Sequence, residues 1–259
     1  MAPSLIDEHY SKQLNIMPLS LGGYSIIDNF NFATEDGDVV RYVELCANGG
    51  GEFDNLLVVY LLPSYNVDYQ IAEIARVMDE EGANAFEAAE HIIKIQMVDD
   101  TGNSRIVGRF AYNNFPFVGL DAKECLGKQI KGAYLEPPYD SARIGATAYR
   151  FLLKKYQHLV CDNLQTILGA SMWSGTMRKH GDVMIYDTVK KCFIEKLGDR
   201  AKGVSTGFIP WDIGGLSPNR VFGEWGDREL RFDKGSCTHI VNIISLPQLL
   251  PRRRHRKKP

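Results

Sequence analysis

The chain contains no run of about twenty consecutive apolar residues, so its sequence pattern excludes a membrane-spanning helix. Its stretch 1–10 carries acids where a secretory leader has a basic region followed by an apolar one, and the expected location is the cytoplasm. Five cysteines, Cys46, Cys125, Cys161, Cys192 and Cys237, are odd in number and widely spaced. That pattern excludes a disulfide framework and paired zinc ligands, and reduced thiols are expected. The six histidines never pair at helical spacing, and none stands in ligand register with a cysteine, so no metal is expected. There is no internal repeat, no low-complexity segment and no linker, so residues 1–250 are expected to form one domain.

What is present is the composition of an ordinary globular protein, 44% hydrophobic and 24% charged over 259 residues. A chain of this length is able to bury roughly 75% of its unfolded surface. Charge is segregated. The last eight residues, 252–259, carry six Lys/Arg and no acid, which leaves 24 bases against 32 acids elsewhere, a net charge of −8. The tail reads as a solvated end or as the one place suited to nucleic acid or an acidic partner; elsewhere neither nucleic acid nor a membrane is expected.

Two nucleophile and nucleotide motifs fail on inspection. Gly169-Ala170-Ser171 lacks the second glycine of a serine nucleophile elbow, since Trp173 takes its place. Gly127-Lys128 is followed by Gln129, with Ala122 where a phosphate-binding P-loop starts with glycine.

The β-rich runs 24–32 and 39–45 flank Glu35-Asp36-Gly37-Asp38, a hairpin signal, and 55–62 reads as a more buried strand. Residues 68–91 favour helix interrupted at Gly82, with Ile71, Ile74, Ala75 and Met78 on one face. Runs 92–98 and 104–112 flank a second hairpin signal at 99–103, and 128–136 is a further strand. Helix 141–156, strand 158–162, helix 168–179, strand 183–186, strand 191–197 and strand 240–244 follow. The stretch 208–226 reads as turns around a packed cluster that includes Trp211 and Trp225.

One junction carries chemistry. The strand that ends at Pro137-Pro138 runs directly into a helix opened by Asp140-Ser141-Ala142-Arg143-Ile144-Gly145-Ala146. Such a junction aims unpaired N–H groups and the positive end of a helix dipole at one small volume, a place for a diphosphate. The plainer reading is that Asp140 or Ser141 caps the helix and Gly145 allows close packing.

The order hairpin, strand, phosphate-type loop, helix, strand, helix, strand resembles the GNAT superfamily of N-acetyltransferases over about residues 90–190. Gly132-Ala133-Tyr134-Leu135-Glu136-Pro137-Pro138-Tyr139 followed by Ile144-Gly145 is similar to that family's cofactor segment. The resemblance implies an α+β fold with a mixed central sheet, helices on both faces and an extended amino-terminal part. It also implies acetyl-CoA or another acyl-CoA as ligand, with Tyr134 and Leu135 along the pantetheine arm. Ser141, Ala142, Arg143, Ile144, Gly145 and Ala146 would hold the diphosphate, with Asn163 nearby.

The family's loop has Gln or Arg first and Gly fourth; here Asp140 and Arg143 stand there. Glu136 is placed as a carboxylate that deprotonates an incoming ammonium, or it is a surface charge that ends a strand. Asp162 and Asn163 end the next parallel strand on the side where open α/β sheets place ligands, or they form a turn. Tyr134, Tyr139 and Tyr149 are candidate hydroxyl donors. Met177 and Trp173 occupy the region where many family members have a tyrosine acid, and both read as core residues.

The segment 162–173 resembles one in GNAT-like proteins of bacterial viruses, which implies a host protein or small molecule as target, with the host's quorum-sensing pathway among the candidates. Three functions follow from the resemblance: acyl transfer to an amine, inhibition of a host enzyme without transfer, or a structural role in a virion.

Overall fold

The computed structural model describes residues 4–6, 12–15, 23–49, 51–102, 104–139 and 143–246. Expectations for Asp140, Ser141, Ala142 and the basic tail lie outside the described residues. A short strand β1 (Ser4–Ile6) comes first, then the hairpin β2 (Tyr24–Ala33) and β3 (Val39–Ala47), then β4 (Asn55–Leu61). The hairpin turns at Gly37, whose φ of +86° suits glycine. Strand β4 loses the alternation of a half-buried strand because both its faces are covered. Leu57 and Val59 enter the main core, while Leu56 and Val58 enter a second one with Leu14, Leu45 and Phe53.

Helices α1 (Val67–Glu80) and α2 (Ala85–Lys94) come next, separated at Gly82 with φ +71°. The Asn66 side chain caps α1, and Asn84 and Glu87 form a reciprocal capping box on α2. The buried face of α1 is Gln70, Ile74 and Val77, one residue away from the expected stripe; Ile71 and Met78 are exposed. A hydrogen bond sets this rotation. Gln70 Nε2 donates to the Gly37 carbonyl at 2.7 Å, and Ile71 lies over the same turn.

Residues 92–98 are not a strand. The capping box carries helix through Lys94, so that Ala88, Ala89 and Ile92 form its buried face. Among the described residues 99–102 no hairpin forms; Thr101 instead bonds back to Asp99 Oδ1 through N–H at 2.9 Å and hydroxyl at 2.6 Å. The real hairpin is longer and later. Strands β5 (Arg105–Val118) and β6 (Glu124–Leu135) turn where Gly119 N donates to Lys123 O at 2.7 Å.

Helix α3 (Ile144–Tyr156) leads to β7 (His158–Val160), β8 (Leu164–Thr166) and α4 (Ile167–Ser171), after which a π-helical turn runs from Met172 to Thr176. Strands β9 (Asp182–Asp187) and β10 (Cys192–Lys196), helix α5 (Pro218–Glu224) and strand β11 (Ile240–Ser245) complete the fold. Nine strands form one mixed sheet in the order β10-β9-β11-β7-β6-β5-β4-β3-β2, while β1 pairs in parallel with β8. Among the described residues only the β6–β7 pair is parallel within the large sheet.

Helices α2 and α3 share one face, because Phe30 packs on Phe86 of α2 at 5.7 Å and on Phe151 of α3 at 4.4 Å between ring centroids. The opposite face at β4 is covered by Leu14, where the expected cover was a helix. Trp211 and Trp225 are 0% and 1% exposed and pack edge to face in the interior, which places them in the core. No described helix is long and apolar enough to cross a membrane.

Candidate functional site: a wedge between two parting strands

Strands β6 and β7 pair only through Lys128↔Leu159 and Gln129↔Val160. Beyond that point β6 stays with β5 as far as Gly108↔Leu135, whereas Cys161 N donates to Asn242 O and so follows β11. A wedge opens between them. Glu136 N donates to Val107 O at 2.8 Å, which makes 107/136 and 109/134 the mutually bonded pairs of the antiparallel ladder. By alternation, the N–H and C=O groups of Ala133 and Leu135 point away from β5 and into the wedge.

Tyr149 of α3, 4% exposed, and Trp173, 1% exposed, close its inner end with rings at 78° and centroids 6.2 Å apart. Burial raises the Tyr149 phenol, so its hydroxyl keeps its proton. Burial also pushes the neighbouring Cys161 thiol up to about 12, which rules it out as a thiolate nucleophile near neutral pH.

The polar centre is Asp162, 8% exposed. Its Oδ1 meets Lys131 Nζ at 3.0 Å and accepts from Asn163 N at 2.8 Å, and its Oδ2 accepts from Lys12 Nζ. Lys12 Nζ also donates to the Lys131 carbonyl. The loop carrying Asp162 is held by Gln165, whose Nε2 donates to the Asp162 carbonyl at 2.9 Å and whose Oε1 accepts from Trp211 Nε1 at 3.2 Å. A cavity of about 80 Å³ remains between Lys12, Ala133, Tyr149, Asp162 and Trp173.

The expected site residues divide. Leu135 turns its side chain toward α3 and offers the wedge its backbone, whereas Tyr134 packs in the core that includes Leu14 and its backbone groups bond to Arg109 of β5. Glu136 lies at the strand end, its side chain 36% exposed and paired with Arg105 Nη1 at 3.2 Å. Arg143 takes the left-handed conformation, φ 56°, and gives α3 no side-chain cap. Its guanidinium pairs with Glu35 of the β2–β3 turn at 2.8 Å, both side chains largely exposed. Ile144 is core, its carbonyl accepting from Tyr42 Oη at 3.0 Å. Gly145 and Ala146 are half-buried in the first turn.

Asn163 is committed to structure: Oδ1 accepts from Gln129 Nε2 at 2.6 Å and its carbonyl from Ser4 N at 3.0 Å. Sequence reasoning missed Lys12 and Lys131. Lys131 is the extra residue of a β-bulge, since Ala111 pairs with Gly132 and Tyr112 with Ile130.

A larger cavity, about 400 Å³, lies at the other end of β6 near Cys46, Asp54 and Tyr156. Its cation is spoken for: Lys128 Nζ donates to Asn55 Oδ1 at 2.9 Å and Asn114 Oδ1 at 2.8 Å, with the Tyr156 ring 4.7 Å away. Among the described residues no group of three or more His, Cys, Asp or Glu is placed to hold a metal ion. No family model, curated protein or solved structure matches the chain.

Proposed function

We propose that the protein is a GNAT-like, acyl-CoA-dependent N-acyltransferase, phage-encoded and directed at a host protein or small molecule. The observation that supports this reading is the parting of the parallel strands β6 and β7, with α3 following the end of β6 and β11 inserted between β7 and β9. In this reading the N–H groups of Ala133 and Leu135 bind the pantetheine arm. The first turn of α3, which no described side chain caps, receives the diphosphate.

Acyl-CoA supplies an activated thioester carbonyl. This chain's residues align the acceptor and take up its proton, with Glu136 at the rim as base. The fit is partial. The wedge's 80 Å³ is well below the roughly 300 Å³ of a small-molecule site, so entry of the arm requires Lys12 to withdraw.

A second reading, a GNAT-like protein that binds a host enzyme without transfer, is favoured by Lys12 in the wedge and by the burial of Trp173 and Met177 at 1% and 0%. Neither side chain supplies an acid for a departing thiolate.

Isothermal titration of acetyl-CoA, with free coenzyme A and Arg143→Glu as comparisons, tests the first reading. Saturable binding weakened in Arg143→Glu is expected. A folded protein that binds no acetyl-CoA overturns it, and binding without transfer to any amine in an acceptor screen selects the second.

A further inference from the structure

Lys12 reaches the wedge from outside the sheet and brings a second cation to it. The Asp162 carboxylate is already balanced at Oδ1 by Lys131 Nζ, 3.0 Å away. Lys12 adds a second ammonium at Oδ2, its side chain 13% exposed against 10% for Asp162. Taking another cation out of water is costly. Geometry does accommodate it. The bulge at Lys131 leaves a strand carbonyl without a partner on β5, and that carbonyl converges with Asp162 Oδ2 on the one Nζ. Two acceptors of this kind, beside the rings of Tyr149 and Trp173, match a primary ammonium on an alkyl stem.

We propose that Asp162 and the Lys131 carbonyl form a recognition site for a primary ammonium, which Lys12 occupies as an intramolecular stand-in for a lysine side chain of a partner polypeptide. The acidic balance of the chain outside its tail, 24 bases against 32 acids, suits a basic partner. Leu14, 0% exposed, anchors the segment that carries the stand-in. The inference rests on the proposed function only for the fate of the bound amine; recognition stands apart from it.

The test uses Lys12→Met, which keeps the stem and removes the charge, with Nα-acetyl-lysine methylamide as probe. An occupied site lowers apparent affinity by the fraction of molecules in which it is free, so the variant is expected to bind about tenfold more tightly than the parent chain. Lys12→Met/Asp162→Asn is expected to lose the probe, and the Nε-acetylated probe is expected to bind neither protein. Equal binding by parent and Lys12→Met, or binding of the Nε-acetylated probe, overturns the proposal.

Amine-selective acylation of the unaltered chain, read by mass spectrometry, covers the case in which Lys12→Met does not fold. Lys12 is expected to react far more slowly than Lys190, which is 76% exposed, and equal rates contradict the proposal. An acetyl-CoA titration run alongside separates the two readings: ammonium binding without acetyl-CoA binding removes the transferase and leaves the recognition site.

Discussion

Gly132 of β6 and Leu14 of the amino-terminal segment are packed so closely that a Cβ on the glycine would stand 2.9 Å from Leu14 Cδ1. The same segment donates through Lys12 to Asp162 and accepts through the Leu14 carbonyl from the buried Arg109. Segment and wedge strand are therefore one packed unit. Gly132→Ala should lower stability by about 1–3 kcal/mol, the range for overpacking, and should speed proteolysis within the segment. A urea midpoint unchanged from the parent would show that the segment yields without cost.

Glu44 on β3 is 0% exposed yet ionisable, and accepts from the Tyr112 and Tyr156 hydroxyls and from Lys155 Nζ. Three donors on one carboxylate hold the end of α3 against β3 and β5. Glu44→Leu should cost about 3 kcal/mol, the low end for breaking a buried pair, because Lys155 remains 28% exposed. Denaturant unfolding measures it, and a loss below about 1 kcal/mol would place Glu44 outside the stabilising core.

Burial holds His158 below the ordinary imidazole range; its Nδ1 lies 2.8 Å from Ser245 Oγ and its ring meets Phe117 edge-on at 5.2 Å. A folded-state value below the unfolded one means that stability is complete above about pH 6.5 and falls as pH drops below it. Hydrogen bonds from Arg76 and then His91 hold the Glu73 carboxyl at about 2, so its contribution is present above the carboxylate range and lost as pH falls toward that value. Melting temperature should thus decline as pH falls from about 6.5 to about 5.5, and His158→Asn should flatten that part of the curve. An unchanged slope in the variant would remove His158 from the account.

Arg143 adopts a left-handed conformation at the helix entry, whereas Gly145 has ordinary φ and a Cβ there would stand 3.5 Å from Leu135 Cδ1, a normal contact. The left-handed conformation costs a non-glycine residue about 1–2 kcal/mol, and a glycine's extra freedom in the unfolded chain offsets about 0.4–1 kcal/mol of the relief, so Arg143→Gly should stabilise by no more than about 1 kcal/mol and Gly145→Ala should be tolerated, both read by thermal melts. Destabilisation by Gly145→Ala would mean that the helix approaches β6 more closely than the geometry allows.

Most of the strand order is legible in the residues because the β2–β3 turn carries its own Gly37, the runs at 56–62 and 183–186 are continuous and apolar, and 240–244 is apolar but for Asn242. The failure at 92–98 has a local cause. Ile92, Ile93 and Ile95 read as β-rich, but a capping box eight residues earlier had already committed the chain to helix. At the site, the junction at the end of β6 and Asp162 were visible, since both end strands at the same edge. Lys131 was not, because a bulge is invisible to alternation, and Lys12 was not, because its segment carries no period.

The most direct measurement is a two-dimensional amide spectrum recorded with and without acetyl-CoA. The account predicts the largest shifts at the wedge-facing amides of Ala133 and Leu135 and at the first turn of α3, Ile144 to Ala146, together with loss of the Lys12–Asp162 contact. Shifts confined to the cavity around Lys128 and Tyr156, or no shifts at saturating ligand, would contradict it.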